Sequence, residues 1–178
     1  MVQISYLFFI NLKYNSKVIK KKVKGQLIRI RESLVDLNHP KIMGILNLTE
    51  DSFFDGSKYN SIKKALLQTQ KMIEEGAFFI DIGVASSSPG KPLISSEDEK
   101  RIITPYLKEL FKSFPKTYFS VDTYNSEVAK LSLDFGVSLI NDISGGMIDQ
   151  KMFSTISPYK IPYVMMHMKG IPEKMQKN

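Results

Sequence analysis

Short apolar runs alternate five times with longer amphipathic stretches between residues 42 and 166, and this alternation most restricts the possible folds. Each run is too short for a helix and is bounded by polar or glycine-containing segments, which is typical of a strand buried on both faces. Repeated strand–helix units predict parallel strands joined by right-handed crossovers, with the helices outside. The predicted strands are 42–46, 78–82, 118–121, 137–140 and 161–166.

Each predicted strand delivers a polar residue at its carboxyl end. Two architectures fit the alternation: an open doubly wound sheet, or part of an eight-stranded barrel. No glycine-rich phosphate fingerprint follows the first strand, which argues against a dinucleotide-binding sheet. Polar groups that converge on one rim are typical of barrel active sites, so we predict an α/β fold of the (β/α)8 TIM barrel class, truncated to about five βα units. The residues at the predicted rim are Asn47, Asp81, Asp122, Asn141 and His167.

Apolar residues between positions 20 and 37 flank turn-forming residues and predict a short hairpin before the first barrel strand. The chain thereby divides into an amino-terminal extension with its hairpin, residues 1–37, and a partial barrel domain, residues 38–178. Whether the first residues of the extension pack on the barrel is left open, since they show no clean periodicity.

Local signals predict where the helices begin and break. Ser61 is placed to cap the first helix, and residues 96–99 have the form of a capping box for the second. Pro105 falls inside that second helix and predicts a kink or a restart. Asn125 or Ser126 is expected to cap the third helix.

Composition excludes several classes of protein. The chain of 178 residues has no cysteine, which excludes a disulfide framework or a thiolate metal site and fits a reducing cytoplasm, where we expect the protein. Its longest apolar run, residues 6–10, is far shorter than the roughly 20 residues of a membrane span, so no membrane is expected as a partner. The net charge of +7 includes a lysine cluster without any nucleic-acid-binding motif, so we expect no nucleic acid partner either.

The loop after the first strand carries the strongest chemical signal. From Asn47 onward it offers side-chain oxygens at Asn47, Thr49, Asp51 and Asp55, which suit a hard cation such as Mg²⁺ or a phosphate bound through it. The pair of phenylalanines at 53–54 would cover an apolar or aromatic ligand. The alternative from these residues alone is an acidic turn whose phenylalanines enter the core.

Five blocks of the sequence resemble the signatures of the dihydropteroate synthase family, in that family's order. The resemblance implies an enzyme of folate biosynthesis that condenses p-aminobenzoate with 6-hydroxymethyl-7,8-dihydropterin pyrophosphate, giving 7,8-dihydropteroate and pyrophosphate. It also implies a cytoplasmic transferase with Mg²⁺ as cofactor. The blocks are NLTEDSFFDG (47–56), GAFFIDIGVASSSPG (76–90), SVDTYNSEVA (120–129), INDISGG (140–146) and VMMHMKGIPEKMQ (164–176).

The same resemblance implies a role for particular residues. Asp122 and Asn141 would be catalytic and pair with the donor and acceptor edge of the pterin. Asn47 would hold the metal-bound pyrophosphate, and Asp81 would orient loops. The remaining substrate-binding residues would be Phe53, Ser87 and Pro89 around p-aminobenzoate and His167 in the pterin pocket. Each has a structural alternative: Asp122 as a helix cap, Asn141 as an amide satisfied by backbone, and Asn47 as a turn residue.

Two departures from the family pattern bear on activity. Ser88 and Ala85 stand where the family carries arginine and glutamate, and 178 residues fall short of the about 250 of a complete barrel. We therefore expect either a truncated or decaying gene product or one piece of a split enzyme. The partner that we expect is a carboxyl-terminal fragment or, in a homodimer, a second copy of the chain. The alternatives to the enzyme are a truncated remnant or pterin-binding module without activity, and the pterin-binding domain of a methyltransferase.

Overall fold

Five parallel strands lie side by side and form one sheet, with an antiparallel hairpin before them. The structure, a computed structural model, describes residues 27–48, 58–84 and 93–166. The strands are β1 Leu27–Ile30 and β2 Ser33–Asp36 in the hairpin, then β3 Met43–Asn47, β4 Phe79–Gly83, β5 Tyr118–Asp122, β6 Leu139–Asp142 and β7 Tyr163–Met165. The helices are α1 Lys58–Glu74, α2 Ser96–Ser113, α3 Ser126–Asp134 and α4 Met152–Ile156, the last continued by a 3-10 turn, Ser157–Tyr159.

The strand order β3-β4-β5-β6-β7 follows the chain without a reversal. A doubly wound sheet reverses its order where its ligand binds, whereas a barrel adds each strand beside the previous one. The order therefore confirms the barrel class over the open sheet. Within the described residues, β3 and β7 each pair with a single neighbour and form the two edges of the sheet.

The helices cover one face of the sheet. Alternate residues of each strand point to opposite sides, so every second strand residue packs against these helices. On this outer face, Leu46, Ile82 and Val121 are buried in one apolar cluster with residues from the helices, among them Ile103 and Leu107 of α2. Burial of each such side chain stabilises the fold by about 1.5–3 kcal/mol. The continuous apolar runs of the sequence thus reflect strands that are covered on this side by helices.

The hairpin covers the other face at the amino ends of the strands. Ile28, Ile30 and Val35 of the hairpin pack against Phe79 of β4 and Leu139 of β6 in a second apolar cluster. This inner face is therefore apolar at its amino end and, as described below, polar at its carboxyl end. The hairpin predicted between residues 20 and 37 is present, while the division of the chain at residue 37 stays a prediction.

Arg31, in the turn between β1 and β2, ties the hairpin to the sheet. Its guanidinium donates a hydrogen bond of 3.0 Å to Ser138 Oγ and lies 5.7 Å from the centroid of the Tyr118 ring. The loops before β5 and β6 supply three further acceptors, the carbonyl oxygens of Pro115, Thr117 and Gly136 at 3.1, 3.2 and 3.4 Å. One side chain thus bonds to two loops that are distant from it in the sequence.

We expect Arg31→Ala to lower the free energy of unfolding by about 2 kcal/mol, since several hydrogen bonds to a charged donor are lost. Arg31→Lys should recover less than half of this loss, because an ammonium group cannot reproduce the planar fork. Urea unfolding followed by circular dichroism measures both. Arg29→Ala is the matched control, as Arg29 is exposed on the same hairpin. Equal effects of the Arg29 and Arg31 substitutions would contradict the role of Arg31 in holding the hairpin to the sheet.

Two predictions about helix starts are wrong. The first helix already begins at Lys58, and Ser61 is a buried residue within it instead of its cap. The cap of α2 lies one residue earlier than predicted: Ser95 accepts a hydrogen bond from the backbone N–H of Asp98, and Ser95 Oγ donates to its carboxylate. Helix α2 is continuous through Pro105, so it does not restart there, while the kink that proline also predicts stays a prediction.

Candidate active site

Four neighbouring strands bring three of the five predicted rim residues into one row. Asn47 at the end of β3 pairs in register with Gly83 of β4, Gly83 with Asp122 of β5, and Asp122 with Asn141 of β6. Residues in register on parallel strands present their side chains on the same face. Asn47, Asp122 and Asn141 therefore lie together on the inner face, at the carboxyl ends where barrels place their active sites.

Gly83 leaves room between the two side chains that flank it. A β-carbon at this position would lie 3.5 Å from Asn47 Oδ1 and 3.9 Å from Asp122 Oδ2. The amide oxygen of one residue and the carboxylate of the other thus approach the same small space. Because a side chain that extends beyond its β-carbon would fill this space, glycine keeps it open.

Asp81 lies one layer deeper on the same face, two residues before Gly83. The prediction that placed Asp81 at the end of its strand is wrong, because β4 continues to Gly83. Asp81 is buried, and its Oδ2 accepts a hydrogen bond of 2.9 Å from Asn141 Nδ2. This bond fixes the orientation of the Asn141 amide. The structural alternative for Asn141 was a side-chain amide bonded to neighbouring backbone groups, whereas the amide here donates to the side chain of Asp81.

Asp122 lies near three other carboxyl groups, those of Asp81, Glu99 and Asp142. Burial raises the pKa of Asp122 well above its usual value, and the nearby charges of Asp81, Glu99 and Asp142 raise it further. Burial likewise raises the pKa of Asp81, against the lowering effect of the nearby Ser120 side chain and of the hydrogen bond that Asn141 donates. Acids with raised pKa values in a cleft are typical of functional sites.

Asp122 does not cap helix α3. The residue at the N-cap position of α3 is Asn125, and the backbone N–H of Ser126 donates instead to Asp149 Oδ2, at 2.8 Å. Asp149 therefore caps the helix from a later loop. The Asp122 carboxylate therefore does not cap the helix, and it is partly exposed at the rim.

Asp142 shapes the loop that follows β6. Its fully buried carboxylate accepts hydrogen bonds from the backbone N–H groups of Ser144 and Gly146, at 2.7 and 2.9 Å, and from the hydroxyl of Tyr163, at 2.6 Å. The sequence pattern indicated no separate role for Asp142. Its position inside the block INDISGG, just before two glycines that need positive φ angles, was the available signal.

Four predicted substrate-binding residues, Phe53, Ser87, Pro89 and His167, lie outside the described residues. The structure therefore describes four of the predicted site residues, Asn47, Asp81, Asp122 and Asn141. Among the residues that are described, no group of three or more histidines, cysteines or acids is arranged to hold a metal ion. No helix in the described ranges is both long and apolar enough to cross a bilayer.

Comparison with known proteins decides the family. A family profile described as pterin binding enzyme matches residues 43–178. The chain belongs to this family of pterin binding enzymes. It is 45% identical over 127 residues to the dihydropteroate synthase of Staphylococcus haemolyticus, a match that covers 71% of this chain and 47% of the relative.

Solved structures of pterin binding enzymes share the fold. The Xanthomonas albilineans dihydropteroate synthase with 4-aminobenzoic acid superposes with a TM-score of 0.74 and 30% identity, over 83% of this chain and 53% of that one. The Anaplasma phagocytophilum dihydropteroate synthase with bound 6-hydroxymethylpterin-monophosphate superposes with a TM-score of 0.69 and 34% identity. This match covers 78% of this chain and 52% of that one. The chain thus spans about half the length of these relatives.

We expect substitutions at Gly83 to separate folding from ligand binding in this family member. Gly83→Ala adds a β-carbon at ordinary van der Waals distances and should leave both unchanged. Gly83→Val places methyl groups beside Asn47 and Asp122 and should weaken binding of a hydroxymethylpterin at least about tenfold, that is by about 1.4 kcal/mol. Calorimetric titration and the melting temperature Tm measure the two effects. Equal affinity of the two variants would show that the ligand does not occupy this space.

Proposed function

We propose that this chain supplies the pterin-binding half of a dihydropteroate synthase. The observation that carries the proposal is the register row of Asn47, Gly83, Asp122 and Asn141 at the carboxyl ends of four parallel strands. A pterin presents several donors and acceptors in one plane, and buried carboxylate and amide groups can pair with such an edge. The Anaplasma phagocytophilum relative, with its bound hydroxymethylpterin phosphate, supports this ligand class.

The reaction needs no protein nucleophile. The bond between the pterin methylene carbon and the pyrophosphate oxygen breaks, and its electron pair leaves with pyrophosphate. The nitrogen of p-aminobenzoate attacks the methylene carbon and then loses a proton. Asp122 and Asn141 would hold the pterin so that this carbon faces the arylamine, and Asp81 would keep the Asn141 amide in place. The slot for p-aminobenzoate would come from Phe53, Ser87 and Pro89.

Magnesium remains part of the proposal, with Asn47 as its protein ligand. In phosphate sites Mg²⁺ takes most of its shell from substrate phosphates and water, with one or two protein groups that are usually carboxylates. Asn47 would supply an amide oxygen in this role, and its Oδ1 faces the open space at Gly83. When bound, the ion would neutralise charge on the departing pyrophosphate. Location in a reducing cytoplasm also stays a prediction.

A complete site would need further strands, and the sheet edges offer a place for them. Ile42 and Ile45 at the β3 edge are 54% and 41% exposed, and Leu67 of α1 beside it is 61% exposed. Exposed apolar residues at an edge strand are a docking surface or an aggregation hazard. We propose that a carboxyl-terminal fragment carrying the remaining βα units covers both edges. Assembly as a homodimer is the other arrangement that we predicted.

Titration and complementation test the proposal together. The chain is titrated with 6-hydroxymethyl-7,8-dihydropterin pyrophosphate and Mg²⁺ in a calorimeter. It is then mixed with a polypeptide spanning the carboxyl-terminal half of the Staphylococcus haemolyticus relative, and dihydropteroate is assayed. Binding followed by turnover in the mixture supports the enzyme. Binding without turnover indicates a pterin-binding module, and absence of binding in both preparations would overturn the proposal.

A further inference from the structure

Glu99, in the first turn of α2, is buried in a place where acids are normally exposed. Its side chain is fully buried, whereas Glu97 and Asp98 of the same turn are exposed. Glutamate is among the residues that are least often fully buried without a partner. The cap of α2 is already made by Ser95 and Asp98, so Glu99 is not needed to begin the helix.

The partner of Glu99 lies on the loop that follows β5. Glu99 Oε2 accepts a hydrogen bond of 2.5 Å from the side-chain amide of Asn125. That amide also lies 3.4 Å from the carbonyl oxygen of Ile94, so two acceptors from the start of α2 hold it. Burial raises the pKa of Glu99, against the effect of the Asn125 hydrogen bond. An acceptor buried at this cost indicates a specific contact.

The same loop is held at its other end by β6. The backbone N–H of Thr123 donates to the carbonyl oxygen of Asn141 at 2.9 Å, and the N–H of Asn125 donates to Thr123 Oγ1 at 3.1 Å. Residues 123–125 are therefore fixed between α2 and β6, and Asp122 stands directly before them. The hydroxyl of Tyr124 in the same loop also accepts a hydrogen bond of 2.7 Å from the backbone N–H of Ile94. Loss of the Asn125 contact would therefore loosen, without releasing, the segment that carries the Asp122 carboxylate.

We propose that Glu99 is a positioning residue of the site, which fixes through Asn125 the segment after β5 and so holds Asp122 in place for the pterin. The pterin as the ligand of this site rests on the function proposed above, whereas the effect of Glu99 on the loop does not. What the contact requires at residue 99 is an acceptor, which glutamine also provides. Alanine provides none.

Hydrogen exchange tests the positioning without any ligand. In the full chain, Glu99→Ala should speed amide exchange of residues 122–126 at least about tenfold, while the hairpin at 27–36 exchanges as before. Glu99→Gln should restore slow exchange, and Glu97→Ala, a change at an exposed acid of the same turn, should have no effect. Unchanged exchange in Glu99→Ala, faster exchange in every segment, or failure of glutamine to restore protection would each overturn the proposal.

Pterin titration then links the loop to the ligand. Glu99→Ala and Asn125→Ala should each weaken binding of 6-hydroxymethylpterin about tenfold, and the double variant should be no weaker than either, as expected for two groups that act through one contact. Glu99→Gln should bind within about threefold of the parent, because glutamine keeps an acceptor for the Asn125 amide. Additive losses would overturn the proposal. If the parent binds no pterin, the proposed function fails, and the exchange experiment still decides the role of Glu99.

Discussion

Asp122→Asn is expected to weaken binding of the pterin pyrophosphate about 100-fold and, at the same time, to raise Tm at pH 8. The loss of affinity follows because a carboxylate that pairs with pterin donors is replaced by a group that presents a donor to them; about 3 kcal/mol is typical for a hydrogen bond to a charged group. The gain in stability follows because the carboxylate lies among the like charges of Asp81, Glu99 and Asp142.

The pH dependence of this gain has a definite sign. Since burial and neighbouring charges raise the pKa of folded Asp122 above its unfolded value near 3.8, the folded state binds the proton more tightly. The stability that this proton provides is fully present below the unfolded pKa and is lost as pH rises through the folded pKa. Asparagine carries no such proton, so the variant should lose less stability between acid and neutral pH.

Calorimetry on the parent and Asp122→Asn at pH 5 and pH 8 measures both effects. We expect Tm of the variant to exceed that of the parent by about 3 °C at pH 8, the shift that roughly 1 kcal/mol produces in a domain of this size, and by less at pH 5. Glu97→Gln, at an exposed acid, is the control. A variant that is less stable than the parent at pH 8 would contradict the electrostatics of the site.

Asp142→Ala is expected to lower the free energy of unfolding by about 4 kcal/mol, the largest loss of stability that we predict. The substitution leaves two backbone N–H groups and the Tyr163 hydroxyl without their buried acceptor. Each unsatisfied buried donor costs about 1–3 kcal/mol. Because the loop after β6 and strand β7 both depend on this carboxylate, the damage should extend from Asn141 to the sheet edge.

Two milder variants separate the contributions at Asp142. Tyr163→Phe removes one donor and should lower the free energy of unfolding by about 1 kcal/mol, and Asp142→Asn, which keeps one acceptor oxygen, by about 2 kcal/mol. Denaturant unfolding gives all three values. If Asp142→Ala were no more destabilising than Tyr163→Phe, the carboxylate would not organise the loop.

The hydrophobic pattern predicted the sheet because a strand that is buried on both faces is visible as a short apolar run in the sequence. The apolar runs gave all five parallel strands to within two residues, and strand ends gave the meeting of Asp122 with Asn141. Asp81 was misplaced because the pattern does not show that β4 continues to Gly83. A one-layer error of this kind changes a rim residue into the support of Asn141.

Contacts between distant residues could not be predicted. The sequence gives no sign that Arg31 bonds to Ser138, 107 positions away, or that Glu99 meets Asn125. Both contacts depend on how helices and loops pack, which local patterns do not encode. The cap of α2 was missed by one residue since two adjacent serines, Ser95 and Ser96, offer the same signal.

The most direct test of the shared site is an NMR titration of the isotope-labelled chain with 6-hydroxymethylpterin. We expect the side-chain amide of Asn141 and the backbone amides of Gly83 and Asp122 to shift together at one dissociation constant, Kd. Asn47 should shift further only with the pyrophosphate form and Mg²⁺. Asn38, which bonds to Asp36 beside the hairpin, is the internal control and should not move. Shifts at Asn38 without shifts at Gly83 and Asn141 would contradict a pterin site on this row.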